Sequence, residues 1–223
     1  MLITMLLACS GGNVSLGDGD QWALSFDGSG CATVPMDGQA WTSEWTIEAT
    51  VKAAEELTFG VYPVLHWTDS LLLAELDDGR TWFGSPDTSS GGVIDVSGFM
   101  DGGTHHLAGT HDSDGRIHLY VNGVRIGFAD LDDGGGGDTL EIGCWNAEDE
   151  WSFQGVIDEV RLSSTVRYED EFEVPDTFEP DAETTALWHF DEGEGLTFRD
   201  AAGGYSGSMD EAVQWVPFDP AVD

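Results

Sequence analysis

The sequence predicts an all-β fold, two antiparallel sheets packed as a sandwich, on three observations. Turn-forming Gly, Asp and Asn recur about every ten residues along the 223-residue chain. The runs between them are short and rich in Val, Ile, Thr, Trp and Phe, which suit a pleated, half-buried surface. No stretch carries a sustained helical period of apolar residues, so no helix is expected. The length suits one large sandwich, and a single domain is expected.

In chain order, Ala23-Leu24-Ser25-Phe26-Asp27-Gly28 and Trp45-Thr46-Ile47-Glu48-Ala49-Thr50-Val51 read as strands, the second alternating apolar and polar residues. His105 to His111 is a further strand, closed by the turn Asp112-Ser113-Asp114-Gly115. Arg116 to Ile126 is a hairpin: Ile117, Leu119 and Val121 alternate with polar residues, and Asn122-Gly123 supplies the two positive φ angles of a type I′ turn. Asp132-Asp133-Gly134-Gly135-Gly136-Gly137 is too polar and too short of side chains to pack, and reads as a surface loop. Gln154-Gly155-Val156-Ile157-Asp158-Glu159-Val160-Arg161-Leu162 and Thr185 to Phe190 are strands. Residues 168–181 cross between them with Pro175 and Pro180 and no periodicity. The second of these strands runs into the acidic, glycine-rich turn Asp191-Glu192-Gly193-Glu194-Gly195. No internal repeat is present, which argues against a propeller or solenoid.

Taken together, these segments resemble the laminin-G-like domains of bacterial surface proteins, within the concanavalin A-like lectin/glucanase group. The resemblance covers nearly the whole chain after the first twenty residues. It implies a jelly-roll sandwich over residues 22–223, whose crossing brings the last strand back beside the first. Thr104 departs from the pattern, since such domains usually place a Trp before the histidines.

Seven Lys plus Arg against 43 Asp plus Glu give a formal net charge of −36, and Lys52 is the only lysine. Such a surface repels phosphates and anionic headgroups, which excludes nucleic acid as a partner. It also opposes the compact state by self-repulsion unless salt or bound cations neutralise it.

Residues 1–9 are an apolar run too short to span a bilayer, and Leu6-Leu7-Ala8-Cys9 resembles a bacterial lipobox. The basic n-region and about half the usual apolar length are missing, as a start assigned too far downstream would leave it. The resemblance implies lipidation of Cys9, a tether over residues 10–21 and display at the cell envelope, with the membrane touched only through the lipid. Cys31 and Cys144 then remain as a pair in an oxidising compartment, where a disulfide is expected and two separate buried thiols are the alternative.

Calcium takes six to eight oxygens, which acidic Gly-rich turns can offer. Asp191 to Gly195 and Arg199-Asp200-Ala201-Ala202-Gly203-Gly204 resemble acidic turns of the family, with Ala202 in place of a Ser. Asp200 is the first candidate ligand, followed by Asp27, Asp158 and Asp191. The alternative is that these aspartates hold turns through bonds to backbone N–H groups.

Glycosidases of this sandwich fold carry Glu-x-Asp-x-x-Glu on one strand, and Glu75-Leu76-Asp77-Asp78-Gly79-Arg80 starts that pattern and fails it. Asp158 and Glu159, as strand neighbours, are expected on opposite faces. Asp77 to Trp82 matches the latter part of a sialidase Asp-box, with no second copy, and reads as an acidic turn before an aromatic strand. Four of the six histidines fall between His105 and His118, but adjacent strand histidines point apart, so a zinc site is not expected.

Of the nine tryptophans, Trp45 and Trp188 are expected in the core. Trp145 and Trp151 flank the loop at residues 146–150 and are the first binding candidates, with Trp67 and Trp82 beside acidic turns. The expected function is a non-catalytic, calcium-stabilised surface module that binds a glycan. A protein-binding structural module and a relative of β-glucanases are the alternatives.

Overall fold

The fold is seen in a computed structural model, which describes residues 21–37, 43–54, 60–67, 71–76, 80–85, 92–95, 101–131, 137–145 and 151–218. The proposed lipidation site Cys9, most of the tether, the Asp77–Gly79 turn and the loop at 146–150 lie outside them. The described residues contain strands and no helix. In order these are β1 (Trp22–Asp27), β2 (Ala32–Pro35), β3 (Trp45–Ala53), β4 (Val61–Trp67), β5 (Leu71–Leu76) and β6 (Thr81–Gly84). They continue as β7 (Gly92–Asp95), β8 (Thr104–His111), β9 (Arg116–Val121), β10 (Val124–Asp130), β11 (Thr139–Ile142) and β12 (Cys144–Trp145). The last six are β13 (Trp151–Ser152), β14 (Gln154–Ser163), β15 (Thr184–Trp188), β16 (Thr197–Phe198), β17 (Gly207–Met209) and β18 (Gln214–Pro217).

Two eight-stranded antiparallel sheets form the sandwich. Sheet A runs β10-β9-β8-β3-β14-β1-β18, with β15 also on β14, and sheet B runs β16-β17-β2-β11-β4-β5-β6-β7. Alternation decides which face of each strand is buried. On β3, Trp45, Ile47, Ala49 and Val51 enter the core between the sheets, and Glu48 on the opposite face pairs with Arg161 of β14. Trp45 and Trp188 are wholly buried, as expected of core positions.

The β9–β10 hairpin turns through Asn122 at φ 49° and Gly123 at φ 78°, the type I′ geometry the Asn-Gly pair predicts. Gly123 is also a close approach: a Cβ there would lie 2.0 Å from the Phe172 carbonyl oxygen, while the Phe172 N–H donates to Gly123 O. This docks the crossing segment on the hairpin.

Two findings differ from expectation. The crossing delivers β15 not beside β1 but onto the far end of β14, on the same edge as β1, so that β1 and β15 lie end to end; β18 is the strand beside β1. In β14 the register with β3 shifts between Ile157 and Val160, and both of these residues are in the core. That bulge breaks the alternation that separates Asp158 from Glu159.

Candidate functional site

The face of sheet B turned away from the core carries an aromatic and polar cluster. β4 and β11 pair Leu65 with Ile142 and Trp67 with Leu140, all core residues, which sends His66 and Glu141 outward together. His66 Nδ1 lies 2.6 Å from Glu141 Oε2, and both side chains are buried. They are covered by Trp145, whose ring centroid is 5.2 Å from His66 and 4.6 Å from Trp151 at an interplanar angle of 51°. Both indoles are half-buried.

Local structure explains how Trp145 gets there. Gly143, at φ 73° with the Phe26 ring where a Cβ would stand, turns the chain out of β11 into the short β12–β13 ribbon. Cys144 is disulfide-bonded to Cys31, at a Cα separation of 5.2 Å, so the ribbon is tied to the start of β2. The pair expected from the sequence is therefore bonded, and the two-thiol alternative does not hold. His66 Nε2 is buried with no hydrogen-bond partner among the described residues.

Trp67 is corrected by its register. It is wholly buried and its indole N–H donates to Gly137 O, so it is a core residue with no face for a ligand. Trp82 is half-buried on β6, two strands from β4, and its Nε1 has no hydrogen-bond partner among the described residues.

The calcium candidates do not converge. Among the described residues no group of three or more His, Cys, Asp or Glu side chains is placed to hold a metal ion. Asp200 is buried, with Oδ1 accepting the N–H groups of Leu187 and Ala202, and Oδ2 those of Gly204 and Tyr205. A carboxylate ringed by four donors does not fit a cation, which needs those lone pairs for itself. It knots the turn after β16 onto β15. Asp27 accepts the backbone N–H and hydroxyl of Ser29, bonds that hold its carboxyl below the usual range, and Asp191 accepts the Trp22 N–H. Asp158 is buried at the β14 bulge. Asp200→Ala is expected to lower stability by about 2 to 3 kcal/mol by orphaning these donors, equally with calcium or with chelator. A loss confined to calcium-loaded protein in thermal melts would restore Asp200 as a ligand.

On sheet A the outward face carries a second buried polar network, much of it lying under the crossing segment. Glu48, at its centre, accepts from Arg161 Nε (2.8 Å) and Tyr168 OH (2.7 Å), and lies 2.9 Å from His106 Nε2. Burial alone would push its carboxyl up; the bonds and charges of His106 and Arg161 outweigh that and hold it below its ordinary value. Arg161 also stacks on Phe178 at 4.6 Å. Beside it Glu159 holds the crossing through the Phe178 N–H and the Thr177 hydroxyl, and bonds His189, whose pKa that bond raises. Arg167 and Asp181 clamp the two ends of the crossing with bonds of 2.9 and 2.7 Å.

The clustered histidines share no site. His105 pairs with Asp101, His106 with Glu48 and His118 with Asp112, while His111 stacks on Trp45. Sequence reasoning missed Glu48, Arg161, His66 and Glu141, because polar residues alternating with apolar ones read as a solvated strand face. A glutamate and an arginine centred in the two longest outward-polar strands were the available signal.

A laminin G family model, described as the concanavalin A-like lectin/glucanases superfamily, matches residues 17–172. No curated protein matches the chain. Among solved structures, a candidate carbohydrate binding protein from Bacteroides ovatus is 18% identical with a TM-score of 0.66, over 90% of this chain and 61% of that one. Domains LG4-5 of the mouse laminin α1 chain are 19% identical with a TM-score of 0.51, over 73% of this chain and 48% of that one. The CBM40 of the Ruminococcus gnavus IT-sialidase, bound to α2,3 sialyllactose, is 13% identical with a TM-score of 0.51, over 68% of this chain and 95% of that one. The chain thus spans less than two thirds of the first two, and at these identities the likeness is one of fold.

Proposed function

Since the chain belongs to the concanavalin A-like lectin/glucanases superfamily, we propose that it is a non-catalytic extracellular module that binds a neutral glycan on the outward face of sheet B. The observation that carries this reading is the Trp145–Trp151 pair standing half-open over the buried His66–Glu141 pair. Indole faces pack against the C–H faces of sugar rings, and a few fixed polar groups give orientation. The carbohydrate binding stated for the Bacteroides ovatus and Ruminococcus gnavus proteins supports the ligand class. The net charge of −36 favours a neutral glycan over a sialylated one.

The non-catalytic part rests on the placement of carboxylates. Glu141 is engaged by an imidazole, and Glu159 by the crossing and His189, rather than standing as an open pair across a cleft. Calcium stabilisation belongs to the proposal on the ground of net charge alone, with ligands other than Asp200. Display through lipid on Cys9 belongs to it on the lipobox resemblance.

The test is titration with laminarin, followed by tryptophan fluorescence and by assay of reducing ends. Binding without sugar release is expected, and Trp145→Ala should weaken it about tenfold or more. Affinity unchanged by Trp145→Ala would remove the site. Release of sugar lost on replacing one Asp or Glu would overturn the non-catalytic assignment. A protein-binding module is the second reading, favoured by Phe128 and Val124, 66% and 47% exposed on the edge strand β10.

A further inference from the structure

A cleft of about 260 Å³ opens on the opposite side of the molecule, between the outer face of sheet A and the crossing segment. Its floor is Thr50 of β3 with Thr104 and His106 of β8, its end is the Asn122 turn, and its wall is Val174 to Asp176. We propose that this cleft is a second binding site, taking one neutral polyol unit with adjacent hydroxyls, such as a single hexose ring.

Two of its lining side chains carry polar atoms that are buried and have no hydrogen-bond partner among the described residues: His106 Nδ1 and Thr104 Oγ1. The His106 side chain is only 2% exposed, with Nε2 committed to Glu48. Buried polar atoms are nearly always paired in folded proteins and are costly when left unpaired, so two orphans in one cleft mark places where a ligand's polar atoms belong. Asn122 is fixed as a third contact. Its Oδ1 accepts the His106 N–H and its Nδ2 donates to His105 Nδ1, which leaves one amide hydrogen uncommitted on a rigid turn.

The chemistry of the lining selects the ligand class. Thr50, Thr104 and Asn122 offer donors, Asp176 offers acceptor oxygens, and the Thr50 and Thr104 hydroxyls can accept as well as donate, with His106 Nδ1 as a further polar contact. A ligand that donates and accepts from neighbouring atoms meets both sets, which is the property of a vicinal diol. Val174 and Pro175 present apolar surface to the C–H face of a ring. Asp176 and the charge of −36 turn away anions. A metal is not favoured, since both nitrogens of His105 are engaged by Asp101 and Asn122. The volume is below the usual range for drug-sized ligands and suits one ring.

The experiment is a backbone-amide NMR titration of the full chain with the methyl glycosides of glucose, galactose and mannose, and with methyl sialoside as the anionic control. At least one neutral glycoside should move the amides of Thr104, Asn122 and Asp176 saturably, with Kd of order 1 to 10 mM. Asp176→Asn and Thr104→Val should each weaken this about fivefold or more, and Thr104→Val should leave the melting temperature unchanged or higher, because it deletes an unpartnered hydroxyl. Trp145→Ala should leave these shifts intact, which separates this site from the sheet B face. The proposal is overturned if no neutral glycoside moves those amides, if the shifts survive both substitutions, or if the sialoside binds equally well.

Discussion

Glu48→Gln is expected to destabilise the protein by about 3 to 5 kcal/mol. The substitution keeps the shape but removes the charge that Arg161 and His106 face inside the sheet A network. A guanidinium left buried without its counter-ion keeps its desolvation penalty and loses the compensation. Pairing Glu48→Leu with Arg161→Met should recover much of the loss, since an apolar pair of similar volume leaves no orphaned charge. Urea denaturation of the two variants beside the parent measures this. A Glu48→Gln loss below about 1 kcal/mol would show that the network contributes little to stability.

The same network sets an acid limit. Glu48 is held below its ordinary value in the folded chain, so its contribution is complete above the unfolded carboxyl value of about 4.3 and is lost as pH falls through the folded one. Asp112, through His118 and turn N–H groups, and Asp181, through Arg167, are also held low and act in the same direction, though both are exposed enough for solvent to screen them. His189 acts oppositely. Its pKa is raised by Glu159, so its contribution is complete below the unfolded value of about 6.5 and fades as pH rises through the folded one. The melting temperature should fall below about pH 4 and decline gently above neutrality, and His189→Gln should remove the second slope only.

Loss of the disulfide is the other large expected effect. Cys31 and Cys144 close a loop of 113 residues, for which the chain-entropy account gives about 5 kcal/mol. The double variant Cys31→Ala, Cys144→Ala should unfold at correspondingly lower urea, and reducing agent should no longer shift the midpoint. Because the bond also ties down the ribbon that carries Trp145, laminarin binding should weaken in the variant even under fully native conditions. A midpoint within about 1 kcal/mol of the parent would show that strand pairing alone holds the ribbon in place.

Alternation in β3 and the Asn122-Gly123 turn were readable from local chemistry alone, because strand faces and turn angles depend on residues a few places apart. The acidic composition likewise set the expectation that nucleic acid is not a partner before any fold was known. Which outward polar residues are solvated was not readable. Glu48 finds His106, Arg161 and Tyr168 at separations of 58, 113 and 120 residues, so its burial exists only once the crossing segment lies over sheet A. The tryptophans make the same point. Trp67 and Trp145 both flank polar turns, yet pairing with Leu140 sends Trp67 into the core, while the corner at Gly143 sets Trp145 over His66. Asp200 sits in a turn whose composition serves a metal or a knot of N–H groups equally well. The docking of that turn on β15 chose the knot, because Leu187 supplies a donor from thirteen residues away.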